Sequence, residues 1–295
     1  VAENPSQVVH INTPHGFDVG AARQPTGCKN SHHSHDTEEV FVVHKGQWKF
    51  TWGEDGSDGE VVLDSGDTIS IPTQLFRGFE NVGDHNGFLF SVLGHLPNGT
   101  PGRVTWAPYV FDEAKKHGLV LLQDGRLIDT HAGQSVPDNQ PLYEPVCGEE
   151  LKAFKTLAME DMVKNVSRHV DLRGHATGGL TNDSGVHEFA VVGDKTDGEG
   201  MPAGKIRRPH NFQLRRLMLD SGATIAKHSR KEEEVLFVHR GSLNISTDEG
   251  SLTLGTGDLF TCPIGLTRCF ANEGNETADI IVLRGGDNPD AANYY

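Results

Sequence analysis

The 295-residue chain has little of what would commit it to several large protein classes. Its four cysteines, Cys28, Cys147, Cys262 and Cys269, form no CxxC pair. A disulfide framework and a zinc ribbon are thereby excluded, and free thiols are expected. No apolar run approaches the roughly 18 residues that a membrane-spanning helix requires. Basic residues are scarce, 26 Lys and Arg against 41 Asp and Glu, giving a formal charge of −15. No basic stretch is interleaved with aromatics, so neither nucleic acid nor an anionic membrane surface is an expected partner. A phosphate-cradling glycine loop, a dinucleotide fingerprint and a supported Ser/His/Asp arrangement are all missing, which argues against ATP, NAD and nucleophilic hydrolysis. The chain begins at Val1 rather than Met, so a missing signal peptide carries no weight, and the cytoplasm is the expected compartment by default.

Glycine (35) and proline (14), in contrast, are plentiful, and hydrophobic residues make up 36%. That mixture suits a turn-rich β protein with a real core. Self-comparison shows why the turns are so many: one unit occurs twice. Pro14-His15-Gly16-Phe17 returns as Pro209-His210-Asn211-Phe212, Gly27 as Gly222, His33 as His228, Glu39 as Glu234 and Gly46 as Gly241, all at an offset of 195. Gly66-Asp67 then matches Gly257-Asp258, Pro72 matches Pro263, Arg77 matches Arg268 and Asn81 matches Asn272, at an offset of 191. The second copy has lost four residues, consistent with a shorter hairpin where Asp248–Gly250 faces the longer Gly53–Gly59.

Each copy reads as short strands divided by turns: Val40–Val43, Gln47–Trp52 and Thr68–Ile71 in the first, Leu259–Cys262 in the second, with late strands at Phe88–Leu93 and Ala278–Leu283. Between the copies, helical spacing is expected at 111–118 and 149–166, the latter placing Leu151, Phe154, Leu157, Ala158 and Met162 on one face. An arm with a small hairpin around Asp124-Gly125 lies between them, and a Gly- and Asp-rich stretch at Asp171–Pro202 contains one strand-like run, Glu188–Val192. The expected domains are therefore residues 1–110, a connector at 111–200, and residues 201–295.

The chemistry concentrates in the first copy. His33, His35 and Glu39 share one parity and so point to one face of an extended chain. Two imidazoles and a carboxylate suit a divalent first-row metal, and three protein ligands leave open positions. His32 has the opposite parity and should point away. Trp48, Phe50, Trp52, Phe79, Phe88 and Phe90 are expected at apolar barrel positions, and those of suitable parity would favour an aromatic or apolar substrate.

At these residues the sequence resembles the cupin superfamily, and its doubling resembles a bicupin. The first cupin motif is a Gly, five residues, His-x-His, three or four residues, Glu, six residues and Gly; Gly27, His33, His35, Glu39 and Gly46 fit throughout. In the second motif Gly66, Pro72 and Asn81 fit, but Gln74 replaces a glycine and Arg77 replaces the family's fourth ligand, a histidine. The resemblance implies a mainly β chain with two double-stranded β-helix (jelly-roll) barrels and a partly helical connector. It also implies one divalent metal in the N-terminal barrel, held by His33, His35 and Glu39, with Fe(II) favoured. The second copy keeps His228 and Glu234 but puts Arg230 at the second histidine and Arg268 at the fourth ligand. Arginine stays protonated and cannot coordinate, so no metal is expected there.

The leading functional expectation is an Fe(II) dioxygenase acting on a small aromatic or organic acid, with Arg77 as the candidate anion clamp. Gentisate-type dioxygenases are bicupins of similar plan, but three histidines are usual there and the first copy lacks the third. Two alternatives stand beside it: a non-catalytic small-molecule-binding or structural bicupin, in which Arg77 pairs with Glu39 and Arg268 with Glu234, and a metal-assisted isomerase, lyase or decarboxylase. His85 and His95 are candidates for the missing fourth ligand. The resemblance also makes a homodimer an expected form.

Overall fold

The computed structural model describes residues 8–172, 180 and 183–295, so parts of the Gly- and Asp-rich stretch lie outside the described residues. The first copy contains β1 (Phe17–Gln24), β2 (His33–His35), β3 (Glu39–Lys45), β4 (Trp48–Trp52), β5 (Gly59–Leu63), β6 (Thr68–Ile71), β7 (Arg77–Asn81), β8 (Gly87–Gly94) and β9 (Val104–Trp106). The intervening region holds α1 (Pro108–Lys116), β10 (Leu119–Leu121), β11 (Leu127–Asp129), α2 (Gly148–Lys152), α3 (Met159–Met162), β12 (Val166–Ser167) and β13 (Val186–Val192). The second copy runs through β14 (Phe212–Leu219), β15 (Thr224–Ser229), β16 (Glu234–Arg240), β17 (Ser242–Thr247), β18 (Gly250–Gly255), β19 (Leu259–Cys262), β20 (Arg268–Ala271), β21 (Ala278–Gly285) and β22 (Asn293–Tyr294).

Each barrel is a pair of five-stranded sheets, ordered β1-β8-β3-β6-β12 over β5-β4-β7-β2-β9 in the first and β13-β14-β21-β16-β19 over β18-β17-β20-β15-β22 in the second. Registers repeat as faithfully as the sequence. Glu39 lies opposite Ile71 and Leu93, and Glu234 opposite Cys262 and Arg284.

The period-2 alternation of strands decides which way each residue looks. In β3, Phe41 and Val43 join the first barrel's interior with Trp48, Phe50, Trp52 and Phe79, whereas Val40 and Val42 join a second apolar cluster shared with Phe212, Val235, Phe237 and Leu283 of the other barrel. The two barrels thus pack sheet against sheet, and each fully buried aliphatic or aromatic side chain there contributes roughly 1.5–3 kcal/mol. Phe88 and Phe90, expected to line the barrel, instead stack on Phe237 at centroid distances of 6.2 and 4.6 Å. They belong to the inter-barrel seam.

The intervening segment does not stand apart. β12 pairs with β6 of the first barrel and β13 with β14 of the second. In place of the single helix expected at 149–166 there are two short helices and a 3₁₀ turn, Val163–Asn165. The first barrel claims the backbone groups a continuous helix would have used: Lys155 N–H donates to Gln74 O at 2.7 Å, and Leu157 O accepts from Trp52 Nε1–H at 2.7 Å. Phe154 stacks on Phe76, centroids 4.3 Å apart. The apolar periodicity was a record of residues meeting the barrel one after another, not of a helix face. The small hairpin around Asp124-Gly125 is present as β10 and β11.

Candidate metal centre

β2 is only three residues long and buried throughout. It pairs with β9, and His33 lies directly across from Arg77 of β7. This brings His33, His35, Glu39 and Arg77 to one place inside the first barrel, each less than a tenth exposed. One ligand atom from each of His33, His35 and Glu39 lies within 4.8 Å of the others.

Hydrogen bonding sets the tautomer of His33. Nδ1–H donates to Ser31 O at 2.7 Å, which turns Nε2 inward as a lone-pair donor. That Nε2 and both ring nitrogens of His35 are buried with no hydrogen-bond partner among the described residues. Burial, then the Arg77 charge, hold the His33 pKa well below the usual value, and the same causes push His35 down to about 2. Both rings are therefore neutral near pH 7, the form that ligation requires. His35 Nε2 stands 3.8 Å from Glu39 Oε2, but with a neutral imidazole this is not an ion pair. Buried, unpartnered imidazole nitrogens around one carboxylate are costly unless something fills the space between them, and a divalent metal fits that donor set.

Arg77 is committed on two sides. Its Nη2 donates to Glu39 Oε2 in a tight buried pair, and Nη1 donates to His33 O at 2.5 Å. Its Nε–H is buried without a partner. The guanidinium thus pairs with Glu39, as the structural reading of Arg77 expects, and keeps one donor without a partner among the described residues.

Other histidines stand away. His32 turns outward, its Nε2 3.0 Å from Thr51 Oγ1 and its Nδ1 against the Tyr109 hydroxyl. His85 is bonded to Asp84 at the surface, and His95 Nε2 lies 3.1 Å from Asp18 Oδ2. Among the described residues neither His85 nor His95 joins the group of His33, His35 and Glu39, so neither fills the place of a fourth ligand. Asn81 and Asn272, which both copies keep, do the same work: each ties its neighbouring turn by donating to two backbone carbonyls at 2.8–2.9 Å.

The second barrel holds charge at the corresponding place. Glu234, fully buried, accepts from Arg268 Nη2 at 2.5 Å and Arg284 Nε at 2.9 Å, with Arg230 Nε 3.3 Å away. Burial alone would raise the Glu234 carboxyl, but the three guanidiniums overcome it and hold the pKa well below the ordinary range. Sequence reasoning found Arg230 and Arg268 and missed Arg284, Arg215, Glu188, Asp197 and Glu199. Arg284 was accessible from the offset, since it replaces Leu93 at 191 residues' distance. Arg215 stands where the first copy has Gly20, and Glu188, Asp197 and Glu199 precede the repeated unit, which begins at Pro14 and Pro209.

Comparisons with known proteins agree with this geometry. The cupin domain profile matches residues 22–93 and 215–284. No curated protein sequence gives a significant match. Among solved structures, procruciferin, an 11S globulin from Brassica napus, is similar with a TM-score of 0.57 at 15% identity, over 95% of this chain and 78% of that one. Oxalate decarboxylase from Bacillus subtilis gives 0.55 at 13% identity, over 95% and 70%. Vicilin from Corylus avellana gives 0.53 at 12% identity, over 92% and 75%. At these identities the structural likeness speaks for the fold alone. With two profile matches and two barrels whose strands pair in matching register, the chain belongs to the cupin superfamily as a bicupin.

Proposed function

We propose that the N-terminal barrel is a metal-dependent catalytic centre for a small organic acid, and that its chemistry is oxidation by dioxygen with Fe(II) bound. The observation that carries this reading is the trio of buried, unpartnered imidazole nitrogens of His33 and His35 converging on Glu39. His33, His35 and Glu39 would hold the metal, which when bound supplies Lewis acidity and, for iron, oxygen activation.

Charge balance points to the substrate class. With neutral imidazoles, Glu39 and Arg77 cancel, so a dication leaves the buried site positive by two, and an anion is the ligand that lowers that cost. In this reading the unpartnered Arg77 Nε–H would donate to one oxygen of a carboxylate or phenolate, with the guanidinium held by its pair with Glu39. The interior aromatics Trp52, Phe50 and Phe79 exclude water from the space around the site.

One observation favours a second reading. The Arg77–Glu39 pair recurs as Arg268–Glu234 in a barrel without a ligand set, which suits a bicupin that binds or builds without catalysis. Elemental analysis of the purified chain beside His33→Ala and His228→Ala separates the two. About one metal per chain, lost in His33→Ala and kept in His228→Ala, is expected, followed by oxygen uptake with a panel of phenolic and aliphatic acids. Metal uptake without oxygen consumption, but with turnover of an acid, would move the reading to decarboxylation or isomerisation. No metal after anaerobic Fe(II) reconstitution would leave the non-catalytic reading.

A further inference from the structure

The second barrel contains a carboxylate that the repeat does not supply. Residues Asp197–Met201 form a tight turn in which Asp197 Oδ1 accepts from the N–H groups of Glu199 and Met201, both at 3.0 Å, and Asp197 N–H donates to Met201 O at 3.1 Å. The tip of this turn, Glu199, enters the barrel. Its Oε1 accepts from Arg230 Nη2 at 2.5 Å, and its Oε2 from Arg215 Nη1 at 2.6 Å and Arg284 Nη1 at 3.2 Å. The Glu199 side chain is 3% exposed and the three guanidiniums are fully buried.

The strands alone leave this interior out of balance. Among the described residues they contribute Arg215, Arg268 and Arg284, and the residue just after β15 adds Arg230, against only Glu188 and Glu234. Beside them, His228 is the cross-strand neighbour of Arg268, and its Nε2 is buried without a partner. Two uncompensated buried cations would be untenable in a folded protein. The turn removes the deficit: Glu199 bridges three guanidiniums, and Asp197 Oδ2 pairs with Arg215 Nη2. In the first barrel the positions of Arg284 and Arg215 are Leu93 and Gly20, so this cationic cup belongs to the second copy only.

We infer that the second barrel is a binding site for a small carboxylate, held closed by the chain's own Glu199, which sits where the carboxylate of a free ligand would sit. Guanidinium forks converging from three directions match the lone pairs of one carboxylate group and would hold a detached one in the same way. This site is independent of any metal in the first barrel.

Glu199→Ala in the full chain tests the idea with acetate as the probe. The variant melts lower than the wild type, and acetate restores much of the loss with a saturable, millimolar dependence, whereas chloride at equal ionic strength does not. Titration calorimetry detects acetate binding to the variant at least tenfold more tightly than to the wild type. The double variant Glu199→Ala with Arg230→Met loses the acetate response. Equal effects of acetate on wild type and variant, no saturable rescue, or rescue that survives loss of Arg230 would each overturn the assignment and leave Glu199 a fixed countercharge. Should Glu199→Ala fail to fold unaided, refolding from urea in acetate against chloride gives the same decision: equal recovery overturns it, and selective recovery in acetate supports it.

Discussion

The two barrels place the same histidine, the same glutamate and the same arginine at matching positions, and they differ at others, two of which touch the glutamate. Where the first has His35 and Leu93, the second has Arg230 and Arg284. The first substitution exchanges a lone pair for a fixed cation, and the second introduces a cation where there was a methyl group. With Arg215 in place of Gly20 and the acidic groups of Glu188, Asp197 and Glu199, these changes put a buried ion cluster where the first barrel has a donor set suited to a metal. A glutamate alone is therefore no guide to a cupin barrel's chemistry: Glu39 and Glu234 each accept from a guanidinium, and it is the neutral imidazoles beside Glu39, against further guanidiniums beside Glu234, that separate the two sites.

The sharpest way to break this contrast is to give the second barrel the first barrel's residue. Arg284→Leu strips a shared cation from Glu188, Glu199 and Glu234, all buried. Breaking a buried pair by removing one partner costs about 3–5 kcal/mol, read as a shift of the urea midpoint. An unchanged midpoint would mean that the cluster is not a stabilising countercharge system.

A middle-sized effect separates the two leading histidines, His15 and His210. Burial, then the Arg208 charge, push His210 down to about 3 from 6.5. The unfolded chain binds this proton below pH 6.5 and the folded chain does not until about pH 3, so stability falls as the pH drops through that window. One such group gives a slope of about 1.4 kcal/mol per pH unit. His210→Asn should flatten the stability–pH curve between pH 6 and 4 by about that amount, and His15→Asn, at a more exposed position, by less. Equal slopes in all three proteins would refute it.

The smallest effect concerns a turn. Gln74 holds φ at 58° where the second copy has Gly265 at 76°, and their N–H groups donate to His35 O and Arg230 O respectively. A left-handed conformation costs a non-glycine residue about 1–2 kcal/mol, partly offset by the greater freedom of an unfolded glycine. Gln74→Gly should stabilise by about 0.5 kcal/mol and Gly265→Gln destabilise by about 1 kcal/mol, measured by thermal denaturation. Opposite signs would show that the Gln74 side chain contributes more than its backbone costs.

Most of the fold was legible because strands transmit periodicity faithfully: constant offsets of 195 and 191 became matching registers, and the parity of His33, His35 and Glu39 became a shared interior. The pairing of Arg77 with Glu39 was legible as one of two alternatives, from its recurrence in a copy without ligands. The helix expected at 149–166 failed because apolar spacing reports burial, and the barrel offered burial without helical hydrogen bonds. Glu199 was invisible for another reason. It lies before the repeated unit that begins at Pro14 and Pro209, and nothing local distinguishes an acidic residue on a Gly-rich loop from one that the fold draws inside.

The leading histidines also bear on how such a chain is inherited. His210 Nε2 accepts from Ser70 Oγ of the first barrel at 2.7 Å, and His15 Nε2 meets Thr261 Oγ1 of the second at 3.2 Å. Each copy finishes the other's sheet with a residue from its own beginning, over an apolar seam to which both contribute. A half-chain cut at the midpoint would lose both contacts and expose its side of the seam. The two copies are thus partners rather than portable modules: each barrel's outer face is the other's buried surface, whatever its own interior holds.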